Sequence, residues 1–186
     1  MYEALALLEL SVWLGLPAWI ANATPVVFGG GKPIDGGRLM RDGHRILGDG
    51  KTIRGFLAGV FFGTLTGVGQ HILAPYLMPI MAEFVTVTPS MEYVLLMTIP
   101  VGFLLSVGTL AGDLIGSFLK RRVSVQSGGP SPMLDQLGFI IMALLFAYPL
   151  LKPEGVYTVI LIIITLVIHW MSNALGYLLG IKKNPW

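Results

Sequence analysis

Residues 55–82, 93–112 and 155–181 form uncharged runs of 28, 20 and 27 residues. A helix needs roughly 20 apolar residues to cross the bilayer hydrocarbon, so each run is long enough to span it. A further apolar segment, residues 4–28, holds Glu9 near its start and Asn22 near its end, and its length and Trp/Leu content still favour crossing. Residues 136–151 add a shorter uncharged run of 16. The expected fold is an all-α integral membrane protein of about five transmembrane helices. Composition agrees: 54% of the 186 residues are hydrophobic and 12% are charged, with a mean hydropathy of +0.77. A soluble domain is excluded on those values.

The first ten residues, MYEALALLEL, hold two acids and no cation. They lack the basic start of a secretory signal, so the first helix is expected to be a retained span. Cysteine is absent, which excludes disulfides and thiolate metal sites. No repeat, low-complexity tract or long linker divides the chain, and residues 1–186 read as a single transmembrane domain.

The cations set the orientation. Lys32, Arg38, Arg41, Arg45, Lys51 and Arg54 lie between the first and second spans, Lys120, Arg121 and Arg122 follow the third, and Lys182 and Lys183 follow the fifth. Eleven of twelve Lys and Arg thus share one side, with Lys152 alone opposite. Cytoplasmic loops hold the excess of cations, which places the N-terminus outside and the C-terminus in the cytoplasm.

That basic face can serve topology and anionic-lipid contact alone. The segment 29–55 has further features: GGGKPIDGGRLMRDGHRILGDGKTIRG contains nine glycines, and Asp35, Asp42 and Asp49 alternate with six cations. Glycine lets backbone N–H groups converge on an anion, and Lys51, Thr52 and Arg54 can reach phosphate oxygens. The segment therefore suits a polyphosphate. It is not a P-loop, because that motif requires glycine at position 45, where Arg45 stands, and a preceding strand.

The third span ends GDLIGSFLKRR. Asp113, Ser117 and Arg121 fall at i, i+4 and i+8, with Lys120 beside them, so one helix face displays an acid, a hydroxyl and cations. An acid at a membrane boundary is costly to bury; it pairs, binds a cation or does chemistry. Pairing with Lys120 or Arg121 is one reading of Asp113, and a Mg²⁺ ion shared with phosphates is the other. Asp135 has the same two readings. Ser131 as cap and Pro132 at the first helical position would put Asp135 at the positive end of a helix. The short span behind it would also recess it opposite Asp113 as a second metal ligand. Gly112 and Gly116 suit close helix packing. Asn22 and Pro25 can meet a nucleotide base or bond across helices. His71 is expected near the outer face, His169, Ser172 and Asn173 to bond between helices, and His44 has no assigned role.

GDLIGSFLKRR followed by GGPSPMLDQLGF resembles the signature of the CDP-diacylglycerol synthase family. With NATPVVFGG, PIDGG and DGKTIRG, the resemblance is to its archaeal branch, the CTP:2,3-di-O-geranylgeranylglyceryl-phosphate cytidylyltransferases, and covers most of the chain. The chain lacks the Lys-Asp pair that follows the Lys-Arg of the bacterial pattern, has GGPSP in place of PGHGG, and has Gln136 after Asp135. The resemblance implies a Mg²⁺-dependent transfer of CMP from CTP to an isoprenoid glyceryl phosphate at the cytoplasmic face of the cell membrane, with no nucleic acid partner. It also implies roles. Asp113 and Asp135 would hold Mg²⁺, Lys51, Thr52, Arg54, Lys120 and Arg121 the phosphates, and Asn22 and Pro25 the nucleotide, with Ser117 at a phosphate or a metal-bound water. A small ion or solute transporter, with Asp113, Asp135, His71 and His169 along its path, is the alternative from another class; a non-catalytic scaffold is a third.

The cation asymmetry makes a direct prediction in a chain with no native cysteine. A single cysteine introduced at Val87 should be labelled by an impermeant maleimide from outside, and one at Gly43 only from inside. The reverse pattern would place the basic segment away from cytosolic nucleotide and reject the orientation.

Overall fold

The computed structural model describes residues 2–125, 129, 131 and 133–180. These form six helices: α1 (Tyr2–Phe28), α2 (Ile53–Phe84), α3 (Pro89–Leu96), α4 (Ile99–Arg122), α5 (Leu134–Leu151) and α6 (Gly155–Leu178). All except α3 are long and apolar enough to cross a membrane. The described residues carry isolated β-bridges at Pro33–Thr52 and Leu39–Arg45.

The third span differs from its expected position. The uncharged run 93–112 is broken at Met97, which takes a left-handed backbone, and Pro100 opens α4 in its first turn. Proline is well placed at a helix start because its missing N–H costs nothing there. The crossing segment consequently begins at Ile99 and continues through the polar KRR end. The carbonyls left open where α3 stops are capped from neighbouring helices: Trp13 Nε1 donates to Leu95 O at 3.1 Å, and His71 Nδ1 lies 2.9 Å from Leu96 O. His71 is thereby used structurally at the end of the bundle away from the cations.

The helices close around buried Leu10, Leu14 and Ala18 of α1, Leu105 of α4, Ile140 and Ala143 of α5, and Tyr157 and Leu161 of α6. Leu57, Phe61 and Leu65 of α2 and Val159, Ile163 and Val167 of α6 face outward. That inversion is the solution for a protein whose surroundings are hydrocarbon, where helices gain by packing backbone against backbone through small residues.

Glycine sets how close the helices come. A Cβ built on Gly67 would lie 2.9 Å from Gly102 Cα, and one on Gly63 would lie 2.8 Å from Pro17 O, so α2 rests against α4 and α1 almost backbone to backbone. On the other side of α4, a Cβ on Gly112 would meet Gly138 O at 2.6 Å. These contacts align the ends of α4 and α5 that bear the charged residues.

The packing predicts a contrast within one helix. Gly67→Ala should lower Tm in detergent, at a cost of roughly 1–3 kcal/mol for overpacking against backbone that cannot yield. Gly69→Ala, where nothing lies within 4 Å, should be neutral or stabilising through helix propensity. Equal Tm shifts for the two variants would contradict the role of the Gly67–Gly102 contact.

Candidate active site

The segment 29–52 is organised around a carboxylate of its own. Asp35, whose side chain is fully buried, accepts hydrogen bonds from the backbone N–H groups of Gly37, Leu47 and Gly48 at 3.0–3.1 Å and from Arg45 Nε and a terminal guanidinium nitrogen. Gly37 and Gly48 reach these positions at φ +82° and +107°, where a side chain would be strained. The expectation that glycine amides gather around an anion is thus realised on an internal carboxylate. The Arg45 guanidinium, followed by the backbone donors, holds the Asp35 carboxyl far below its ordinary range. A carboxylate lowered in this way adds stability above its unfolded pKa and loses it as pH falls, so the knot is intact at neutral pH.

From that knot the chain runs beside its own start, with Ile34 N donating to Lys51 O at 2.8 Å and Ile53 N to Lys32 O at 3.1 Å. Thr52 then caps α2 by accepting from Gly55 N at 3.1 Å, and it is buried. Arg54, expected to bind phosphate, donates to Phe28 O and Gly29 O at 2.8 and 2.6 Å and so fastens the end of α1. Lys51, the one of the three directed into the bundle, places Nζ 2.7 Å from both carboxylate oxygens of Asp113. The partner of Asp113 is therefore neither Lys120 nor Arg121. Pro25, Lys51, Thr52 and Asp113 share one small cleft.

The other half of the site joins α4 to α5. Lys120 Nζ lies 2.7 Å from Asp135 Oδ1, and Ser131 N donates to Asp135 Oδ2 at 3.0 Å. The expected cap differs: α5 begins at Leu134 with Met133 as its N-cap, and Pro132 lies outside the described residues. Arg121 is 6% exposed, and its Nε has no hydrogen-bond partner among the described residues. Ser117 is buried one turn before Arg121 on α4. Arg122, missed as a functional residue by the sequence pattern, clasps the 29–52 segment: it donates to Asp42 Oδ2 at 2.7 Å and to Arg45 O, while Ser124 Oγ lies 3.2 Å from His44 Nε2. Its signal was only a third consecutive cation.

Asn22 and Pro25 part company. Pro25 borders the Lys51–Asp113 cleft, whereas Asn22 lines a separate cavity between α1 and α6 together with His169, Ser172 and Asn173. Asn173 Nδ2 lies 3.1 Å from His169 Nδ1, a contact within α6. The histidines also fail to continue the acids into one path, since His71 caps α3 at the opposite end.

Among the described residues no group of three or more His, Asp or Glu is assembled for a metal. The two carboxylates nonetheless suit a hard divalent ion, which needs only one or two carboxylates when substrate phosphates supply the remaining oxygens. Both are about one-third exposed, with side-chain exposures of 30% for Asp113 and 32% for Asp135. Chemically, the end of the bundle offers two carboxylates, two lysines and a buried guanidinium, a set matched to a polyanion.

Comparison with known proteins gives this arrangement its context. A solved structure of an intramembrane enzyme for archaeal membrane lipid biosynthesis is 38% identical, with a TM-score of 0.67 over 87% of this chain and 91% of that one. The CDP-archaeol synthase of Thermococcus gammatolerans is 48% identical over 98% of this chain and 99% of its own length. That of Methanopyrus kandleri is 41% identical over 94% and 91%. The family model described as CarS-like, CDP-archaeol synthase, matches residues 4–186, and with relatives this similar over nearly their whole length the chain belongs to the CDP-archaeol synthase family.

Proposed function

We propose that this membrane enzyme transfers the cytidylyl group of CTP to the phosphate of 2,3-di-O-geranylgeranylglyceryl phosphate, giving CDP-archaeol and pyrophosphate. An oxygen of the lipid phosphate attacks the α-phosphorus of CTP, the new P–O bond forms as the α–β anhydride bond breaks, and pyrophosphate departs. The phosphate oxygen is already a nucleophile at neutral pH, so the chain needs no serine or histidine nucleophile. Its task is to align two polyanions and offset their charge.

The observation that carries this reading is the buried Arg121, whose Nε has no hydrogen-bond partner among the described residues, on the same helix end as two Lys–Asp pairs. A buried guanidinium N–H without an acceptor is costly, and a phosphate oxygen is an acceptor that would satisfy it. Lys51 and Lys120 hold the carboxylates in this structure; both ammonium groups could reach phosphate oxygens if Asp113 and Asp135 were engaged by a divalent cation. Asp113 and Asp135 are the residues that would hold Mg²⁺, which supplies charge neutralisation and orientation of the triphosphate when bound. Thr52 and Arg54 act at a distance by fixing the start of α2 and the end of α1 around Lys51. Pro25 walls the nucleotide cleft, and Ser117 presents a hydroxyl beneath Arg121. The reaction is assigned to the cytoplasmic surface of the cell membrane, a reading supported by the bias of eleven of the twelve Lys and Arg to one side in the sequence.

Two measurements test the assignment. Purified protein supplied with the lipid phosphate and Mg²⁺ should release pyrophosphate with CTP and form the CDP-lipid; equal turnover with ATP would reject selection of cytosine. Asp113→Asn and Asp135→Asn keep side-chain shape but remove the anion, so each should lower turnover by orders of magnitude across a Mg²⁺ titration, with stability lowered by only about 1 kcal/mol for a lost, partly exposed pair. Near-normal turnover at low Mg²⁺ in folded variants would defeat the metal assignment.

A further inference from the structure

The α1–α6 cavity is a separate feature from the ion-paired cleft. It has a volume of about 280 Å³, and its wall is largely apolar: Trp19, Val26, Phe139 and Ile168 contribute to it. Polar groups interrupt that wall from two helices, Asn22 on α1 and His169, Ser172 and Asn173 on α6. Polar side chains at membrane depth are costly and tend to face partners or a pathway. The packing of α1 on α6 already has its own polar contact deeper in the bundle, Trp19 Nε1 to Thr165 Oγ1 at 3.1 Å. Asn22 and Ser172 instead line the cavity from its two helices, where the wall turns polar.

Depth indicates what the cavity suits. Asn22 sits six residues before the end of α1, roughly 9 Å below it, and the cavity reaches to Val27 and Leu179 at the charged end of the bundle. Phe139 in the wall is one helical turn beyond Asp135 on α5 and packs against Gly112, the neighbour of Asp113. The cavity thus lies about one to two turns beneath the carboxylates and lysines. In a lipid phosphate, the segment one step beneath the phosphate is the glycerol with its two ether oxygens, and apolar chain follows immediately. The outward faces of Trp170, Met171 and Leu175 on α6 leave this region bordered by hydrocarbon.

We propose that the α1–α6 cavity binds the glyceryl ether neck and first isoprenoid units of the lipid substrate, with the Asn22 amide donating to an ether oxygen and Ser172 and Asn173 lining the same polar strip. The proposal rests on the lipid phosphate reading given above. It moves Asn22 from the nucleotide to the lipid and makes the α1–α6 seam the side from which lipid enters from the bilayer.

Photo-crosslinking and kinetics test it together. A dialkyl ether glyceryl phosphate carrying a diazirine near the glycerol end of one chain is incorporated into vesicles with the full-length wild-type protein and irradiated. Adducts should map to residues 22–27 of α1 or 168–179 of α6; adducts on the apolar α2–α4 groove around Phe61 and Phe103 would overturn the proposal. In parallel, Asn22→Leu and the cavity-filling Val26→Trp should each raise KM for the lipid phosphate about tenfold, the scale of one lost hydrogen bond, with KM for CTP unchanged. A raised KM for CTP with that for lipid unmoved would return Asn22 to the nucleotide and refute the assignment. The crosslink reads binding without turnover, so wild-type protein that crosslinks in the α1–α6 seam yet forms no CDP-lipid would reject the proposed reaction and keep the lipid site.

Discussion

The Lys51–Asp113 pair is the interaction on which the site depends, because it joins a segment that cannot enter hydrocarbon to a helix that crosses it. Both Nζ–carboxylate distances are 2.7 Å, and both side chains are about 30% exposed. At that depth charges attract one another more strongly than in water yet remain open to exchange, in contrast to a fully desolvated pair whose partners cannot part. Lys120 and Asp135 repeat the device across α4 and α5. Two closures of the same chemistry thus pin the 29–52 segment and α5 to opposite sides of one helix end, with the buried Arg121 on that same end.

A segment that must deliver Lys51 accurately needs rigidity, and the source of that rigidity is Asp35. A long connection rich in glycine pays a large conformational entropy on ordering. Five donors converging on one buried carboxylate recover part of it, and the Arg122 clasp to Asp42 and Arg45 recovers more by fastening the segment to α4. Gly37 and Gly48 are therefore required by turns that aim their backbone amides inward at Asp35. On the proposed reading, function would follow one step later, through the position this gives to Lys51.

The spans were legible because the bilayer imposes a length that composition must satisfy, and residues 55–82 and 155–181 meet it without interruption. The break at Met97 was hidden because hydropathy measures transfer and carries no information on backbone direction; Pro100 was the available sign. Asp113 and Asp135 stood out as boundary acids, but their partners did not. Helical spacing offers only neighbours such as Lys120 and Arg121, whereas the true partner of Asp113 comes from 62 residues away through loop geometry. Asn22 and Pro25 illustrate the same gap: close in sequence, they border different cavities because α1 is enclosed by α2 on one flank and by α6 on another.

Layering by depth connects these features. Carboxylates and cations occupy the end of the bundle, the amides of Asn22 and Asn173 and the Ser172 hydroxyl lie about one to two turns below, and apolar surface continues from there. A lipid phosphate presents the same sequence of chemistries over the same distance: anion, ether oxygens, hydrocarbon. On the proposed reading, the match would explain how so small a chain acts on a substrate that stays in the bilayer. On the proposed reading, the water-soluble nucleotide needs access only from the charged end and the lipid only from the side, so neither substrate would cross the path of the other before their phosphates meet beside Arg121.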